Sequence, residues 1–182
     1  MSFSDLPDTH WAYQHVAYLY CRDVIAGYPD GTFRPSSDTT RAQIVKMVAL
    51  GEGWPLYAPQ QPTFTDSGPG DWHYLYIEAA AAHGVVSGYA DGTFRPNNPV
   101  TRGQLCKMIV LGRNWPPSDP PAPSFTDVPR GSTFYGYIEA ARERLVVSGY
   151  VDGTFRPGNS ATRGQLAKML YTALTQAGTS RQ

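Results

Sequence analysis

Apolar and aromatic side chains fall at the same places three times along this chain. Tyr13, Val16 and Leu19 are followed by Tyr74, Ile77 and Ala80, then by Tyr135, Ile138 and Ala141, each set spaced three and three apart. That is the period of one helix face. The spacing predicts short helices ending near residues 22, 83 and 144, with Asp71 and Ser132 as N-caps in the second and third and Thr9 in the first. Val24, Val85 and Val146 then fall just past the helix ends. A second stripe, Ile44, Met47 and Val48, returns as Leu105, Met108, Ile109 and as Leu166, Met169, Leu170. Its i, i+3, i+4 spacing predicts a buried helical face. Each second stripe opens on Thr-x-x-Gln, at 40–43, 101–104 and 162–165. This is a capping-box signature, the hydroxyl taking the N3 amide while the Gln reaches back to the cap. Lys46, Lys107 and Lys168 project to the opposite side of these helices and read as solvated.

Between the two stripes lies Gly-Tyr-x-Asp-Gly-Thr-Phe-Arg-Pro, at 27–35, 88–96 and 149–157, offset by 61 residues both times. A fixed period of this length marks a repeat architecture. The units are 1–61, 62–122 and 123–182. Within the block, Asp30-Gly31 predicts a tight turn and a minimal hairpin between Tyr28 and Thr32, ended by Pro35. Gly27 fits the C′ position of the preceding helix after a short extended exit. Two proline-rich stretches, 51–63 and 112–124, each carry a Trp-Pro step and read as semi-rigid spacers. The last residues, from Gly178 to Gln182, are expected to fray. A unit of about 60 residues is marginal alone, so the copies are expected to share a core. The fold expected is mainly α: three tandem helix-loop-helix repeats in a closed, pseudo-threefold assembly with short hairpin-like loops, a monomer with internal symmetry. An open solenoid is the rival, disfavoured because three copies without polar capping repeats would leave ends exposed.

Composition narrows the function. The 182 residues carry a net charge of zero, with 16% charged, so no bulk field draws the chain to nucleic acid or an anionic membrane. No apolar run is long enough for a membrane span. The first residues, Met1-Ser2-Phe3-Ser4-Asp5, lack the basic start and apolar stretch of a secretory signal, so any export signal is expected to lie elsewhere or to have been removed. Cys21 and Cys106 differ in their place within the repeat and read as two free, mostly buried thiols. The four histidines do not recur in register, and Asp30 stands without the alternating acidic ligands of a calcium loop, so no metal site is expected. Phosphate-binding, nucleophile-elbow and zinc-protease motifs are missing; neither catalytic residues nor a cofactor are expected.

What recurs instead is cationic and aromatic. Arg34, Arg41, Lys46 and their counterparts supply nine of the 15 basic residues, including every lysine. Fixed cations on a neutral chain suggest a defined anion contact or a repeated structural ion pair, for which Asp5 and Asp30 are the natural partners. Arg41 falls at N1, where helix amides favour an anion and a guanidinium fork matches a carboxylate; it could equally bridge to a neighbouring repeat's Asp. Trp11 and Trp72 either anchor the first helix or form a sugar-stacking platform, and the third copy has Thr133 there beside Phe134.

With Phe-x-Asp at 3–5, 64–66 and 125–127, a Trp-led helix, the Gly-Tyr-x-Asp-Gly-Thr-Phe-Arg-Pro block and Thr-Arg-x-Gln, in order in nearly every copy, the chain resembles the S-layer homology domain in three tandem copies. The resemblance implies an extracellular module that holds surface proteins non-covalently to the bacterial cell wall. It also implies that secondary cell wall polysaccharide, often with a pyruvylated sugar, binds in grooves between repeats of a three-pronged spindle. Peptidoglycan is a further candidate partner. The ligand-binding residues expected are Arg41, Arg102 and Arg163, with Trp11, Trp72, Tyr28, Tyr89, Tyr150 and the glycines Gly27, Gly88 and Gly149. A protein-interaction or self-assembly module using the same grooves is the alternative. Two departures matter: Gln43, Gln104 and Gln165 replace the family's usual Glu, and Gly103 and Gly164 replace Ala, which either weakens the first turn slightly or lets a ligand approach closely. The missing Trp at Thr133 points to the groove built on the third copy as the one that has lost binding.

Overall fold

A computed structural model describes residues 2–176; the tail expected to fray lies outside them. Six helices succeed one another: α1 (Tyr13–Tyr20), α2 (Arg41–Gly51), α3 (Tyr74–Ala82), α4 (Arg102–Gly112), α5 (Tyr135–Glu143) and α6 (Arg163–Thr175). Extended pairing among the described residues is confined to three isolated bridges.

The longer helices start as the sequence dictates. Thr40, Thr101 and Thr162 each close a capping box with the Gln three residues on. The shorter helices enter differently, from Ala12, His73 and Phe134, with no side-chain cap. Asp71 turns back instead, its carboxylate accepting from the Gly68 amide at 2.8 Å while its carbonyl takes the Tyr74 amide at 3.1 Å. Ser132 offers its carbonyl in the same way. A turn therefore precedes each short helix and occupies the residues expected to cap it. Their far ends turn at Asp23, Gly84 and Leu145, all at left-handed φ near 60°. Val24, Val85 and Val146 each donate back to the carbonyl five residues earlier, so the C′ role falls there and not to Gly27. Gly27, Gly88 and Gly149 are required for another reason: a Cβ at any of them would stand 2.2–2.4 Å from the ring of Phe3, Phe64 or Phe125. The Asp-Gly turn forms as expected, Gly31 at φ 78° and the Tyr28 amide donating to Thr32 at 2.8 Å. Asp5 pins the backbone just past that turn, its two carboxylate oxygens each 2.7 Å from the amides of Phe33 and Arg34, as Asp66 and Asp127 do in the other copies.

Packing exchanges partners between repeats. The three long helices pack on one another, while α3 packs on α2, α5 on α4, and α1 on α6. Each short helix thus lies on the long helix of the preceding copy, and the first copy closes the ring onto the last. The expected stripe is buried at the centre, with Ile44, Leu105 and Leu166 fully enclosed. At the N-terminal ends of the long helices the axis is closed by backbone. The Val100 amide donates to Thr39, Ala161 to Val100, and Thr39 to Ala161, at 2.8–3.1 Å, and all three residues are 0% exposed. The helix N1 and N2 amides join the same seam. Arg41 and Ala42 donate to Asn98 and Pro96, Arg102 and Gly103 to Asn159 and Pro157, Arg163 and Gly164 to Ser37 and Pro35. This is a closed pseudo-threefold assembly, not a solenoid.

The proline-rich stretches are strapped down. Buried Glu78 and Glu139 accept from the amides and hydroxyls of Thr63 and Ser124. Trp54 stacks on His83 at 4.2 Å, and Trp115 lies beneath Arg144 at 4.8 Å. Spacer behaviour would need these contacts to be missing. Cys106 is buried as expected, its thiol pushed up to about 12 by desolvation, whereas Cys21 is exposed because the helix end that carries it faces outward.

Candidate functional site

Three grooves repeat around the axis, and each draws on all three copies. The floor comes from one copy: the approach to its Gly-Tyr block and the face of its long helix that carries Gln, Lys and Met. An arginine enters from the preceding copy and an aromatic from the following one. On the first copy's floor, with Tyr28 and Lys46, these are Arg163 and Trp72. Tyr89 and Lys107 on the second meet Arg41, Thr133 and Phe134. On the third floor Tyr150 and Lys168 meet Arg102 and Trp11. The cavities measure about 160, 220 and 180 Å³.

The arginines are buried at 7%, 7% and 3% exposure, and their first bond is structural. Arg41 Nε donates to the Phe94 carbonyl at 2.8 Å, Arg102 to Phe155 at 2.9 Å and Arg163 to Phe33 at 2.8 Å. Each guanidinium also lies 4.9–5.0 Å over the floor tyrosine. They bridge to a neighbouring copy, as one expectation had it, but the acceptor is a carbonyl and not an Asp. Burial lowers the pKa of all three, yet arginine remains charged. Arg41 and Arg102 make that single hydrogen bond among the described residues, leaving the rest of a five-donor fork beside the groove. Arg163 spends one more donor on the Ala26 carbonyl at 3.0 Å. The helix amides that were expected to share the anion are taken by the neighbouring copy's carbonyls. Arg34 and its counterparts pair with Asp30, Asp91 and Asp152 at 2.8–2.9 Å and form the structural ion pairs. There the carboxylates are held well below their ordinary range, chiefly by the Thr32, Thr93 and Thr154 hydroxyls.

The lysines expected to be solvated line the grooves. Lys46 Nζ stands 5.7 Å over Trp72 and 5.5 Å over Tyr76, and Lys107 is 5.7 Å over Tyr137. The equivalent aromatic beside Lys168 is His15, whose pKa is lowered by burial and by that lysine. Sequence reasoning set these lysines aside although they recur as strictly as the arginines, five residues further along the same helix; recurrence was the signal. Gln43 faces the groove as well, its Oε1 accepting from the cap and its Nε2 a long 3.5 Å from the Tyr28 hydroxyl. A Glu could cap but could not donate there.

Trp11 and Trp72 are 54% and 56% exposed, free to offer a flat face. Thr133 lines the groove floored by the second copy, not the third, because each aromatic serves the preceding copy's floor. That groove is not stripped of its ring. Phe134 lies against Gly103, whose Cβ would stand 2.6 Å from it, as Trp11 lies against Gly164 at 3.0 Å. These two glycines receive the protein's own rings, and the ligand approach expected of them is taken. Gly27, Gly88 and Gly149 line the grooves at their backbone while packing on phenylalanine.

Three segments, 2–45, 63–106 and 124–167, match the S-layer homology domain. An endoglucanase of Bacillus sp. (strain KSM-635) is 33% identical over 94% of this chain, which spans 18% of that protein. A cellulosome-anchoring protein of Acetivibrio thermocellus is 32% identical over 84%, spanning 34% of its length. An S-layer protein of Bacillus thuringiensis subsp. finitimus is 32% identical over 60%, spanning 13%. With all three repeats matched, over more than half of its residues, the chain belongs to the S-layer homology domain family.

Proposed function

We propose that the three grooves hold an acidic sugar of a cell-wall polysaccharide, which makes the chain a non-catalytic anchor. Family membership puts it at the bacterial cell surface or cell wall. One observation carries the reading: on a chain with no net charge, every groove has an arginine and a lysine beside aromatic rings and, among the described residues, no carboxylate. Rings supply faces for apolar sugar surfaces and the cations supply a carboxylate clamp. The cavities fall below the ~300–1,000 Å³ typical of pockets that engulf drug-sized ligands, which suits one ring or a terminal group of a chain passing outside. A ketal carboxylate on a terminal sugar meets both demands. The grooves with Trp11 and Trp72 are the stronger sites, and Arg102, with Trp11 and fewer structural commitments than Arg163, serves the strongest.

Retention on purified wall sacculi, before and after their polysaccharide is stripped, tests this. Retention is expected to fall sharply on stripped walls and on walls whose polysaccharide lacks acidic substituents. Equal retention on stripped walls would assign the grooves to peptidoglycan or to protein.

A further inference from the structure

The three grooves share a plan, but their cations are held differently. On the first floor Lys46 is half-buried, its Nζ 5.7 Å over Trp72 and 5.5 Å over Tyr76. On the second, Lys107 is half-buried against one ring, Tyr137 at 5.7 Å. On the third, Lys168 is exposed and makes no cation–π contact among the described residues. The arginines follow the same order. Arg163, in the first groove, donates to two carbonyls, while Arg41 and Arg102 each donate to one.

Two substitutions account for the state of Lys168. The short helices α3 and α5 present Tyr76 and Tyr137 to the lysine of the long helix beneath them, whereas α1 presents His15 at that place. The imidazole packs edgewise on Tyr171, 5.0 Å away, a ring for which the other copies have Ala49 and Val110. The second substitution is at N2 of the long helix. Gly164 seats Trp11, and a Cβ there would stand 3.0 Å from the indole. The first copy has Ala42 at that seat, and Trp72 stands over Lys46 instead. Gly103 seats Phe134 in the same way, which leaves Tyr137 as the ring beside Lys107.

We propose that these two positions set how strictly each groove reads the charge of its sugar. The groove on the third floor, with Lys168 uncapped, is the one most selective for an acidic sugar. The groove on the first floor, whose cations are committed to rings and carbonyls, discriminates least. His15 and Gly164 are thus specificity-determining residues that act through Lys168 and Trp11. The inference rests on the grooves holding sugars, as proposed above. A lysine held against a ring gives up that contact when it swings onto a carboxylate, a loss of roughly two- to fivefold in affinity per ring at an exposed site. An uncharged sugar of the same shape makes no such demand.

The test is titration of the whole chain with a methyl glucoside carrying a 4,6-ketal of pyruvate and, separately, with its methyl ester, which keeps the shape and loses the charge. The backbone amides of Gly27, Gly88 and Gly149 report the three grooves one by one. Preference for the acid over the ester is expected to be greatest at Gly149, roughly two- to fivefold above that at Gly88, and smallest at Gly27. The double variant His15→Tyr/Gly164→Ala gives the third groove the residues of the first. It should lower the preference at Gly149 toward that at Gly27 while the ester binds as before, whereas a structural defect would weaken both probes. His15→Gln, which removes the imidazole without adding a ring, should keep the preference, and Tyr76→His should raise it at Gly27. Equal preference at all three glycines, an unchanged preference in the folded double variant, or its loss with His15→Gln overturns the inference and leaves the sugar reading standing. Absence of saturable shifts at every one of the three glycines with either probe overturns both.

Discussion

At the residue scale the three copies are close enough that single departures can be read as natural substitutions. Thr39 sits in the buried backbone ring where the other copies have Val100 and Ala161, and its hydroxyl has no hydrogen-bond partner among the described residues. A buried unsatisfied hydroxyl costs roughly 1–3 kcal/mol. Thr39→Val is therefore expected to raise unfolding free energy by about 1 kcal/mol or more, measured by urea denaturation at unchanged m-value. A loss would mean that the hydroxyl is engaged. His15 stands where the other copies have Tyr76 and Tyr137. Its pKa is lowered in the fold, so the unfolded chain takes up its proton first as pH falls. Stability from this group is present above the ordinary histidine range near 6.5 and is lost as pH drops through it. His15→Tyr is expected to flatten thermal stability between pH ~7 and ~5.5 relative to the parent chain, with calorimetry at each pH as the readout.

Elements were legible where their signals are local. The capping boxes at Thr40, Thr101 and Thr162, the stripes behind them and the Asp-Gly turns all depend on neighbours within five residues. The short-helix caps were misplaced because Asp71 and Ser132 suit a preceding turn as well as a cap, and sequence alone does not choose. The proline-rich stretches were misread because what holds them is remote: Glu78 and Glu139, 15 residues further on. That signal was present in the repeat, since the copy with no preceding stretch has Ala17 at that place. Glu139→Ala leaves the Ser124 amide and hydroxyl without their acceptor. It is expected to cost about 1–3 kcal/mol and to speed hydrogen exchange across 118–124 beyond the rest of the chain. Uniform exchange would show that the strap holds by other contacts.

On the scale of the molecule, closure and internal symmetry were legible from three copies without caps, but the exchange of helices was not. That exchange decides which residues meet. It joins Trp11, Arg102 and Lys168, drawn from three copies, in one groove, and moves the Thr133 groove from the third floor to the second. It also makes the ring indivisible, because removing the last copy takes α6 from α1 and α5 from α4. A chain ending at Ala122 is expected to lose cooperative melting, and a transition as sharp as that of the whole chain would contradict the shared core.

Because Arg41, Arg102 and Arg163 also hold the ring together, their replacement mixes folding with binding. Trp11, Trp72 and Lys168 make cleaner probes. The most direct measurement is therefore calorimetric titration of wall polysaccharide into Trp11→Ala, Lys168→Ala and their double variant, and into the Trp11→Ala/Trp72→Ala pair. Trp11 and Lys168 lie on different copies but in one groove. Each single change is expected to weaken or remove the same one site, and the double to remove no more than that site. Trp11→Ala with Trp72→Ala should remove two. If Trp11→Ala and Lys168→Ala instead abolish separate sites, or if all of these variants bind as the parent does, the grooves are not the shared sites described.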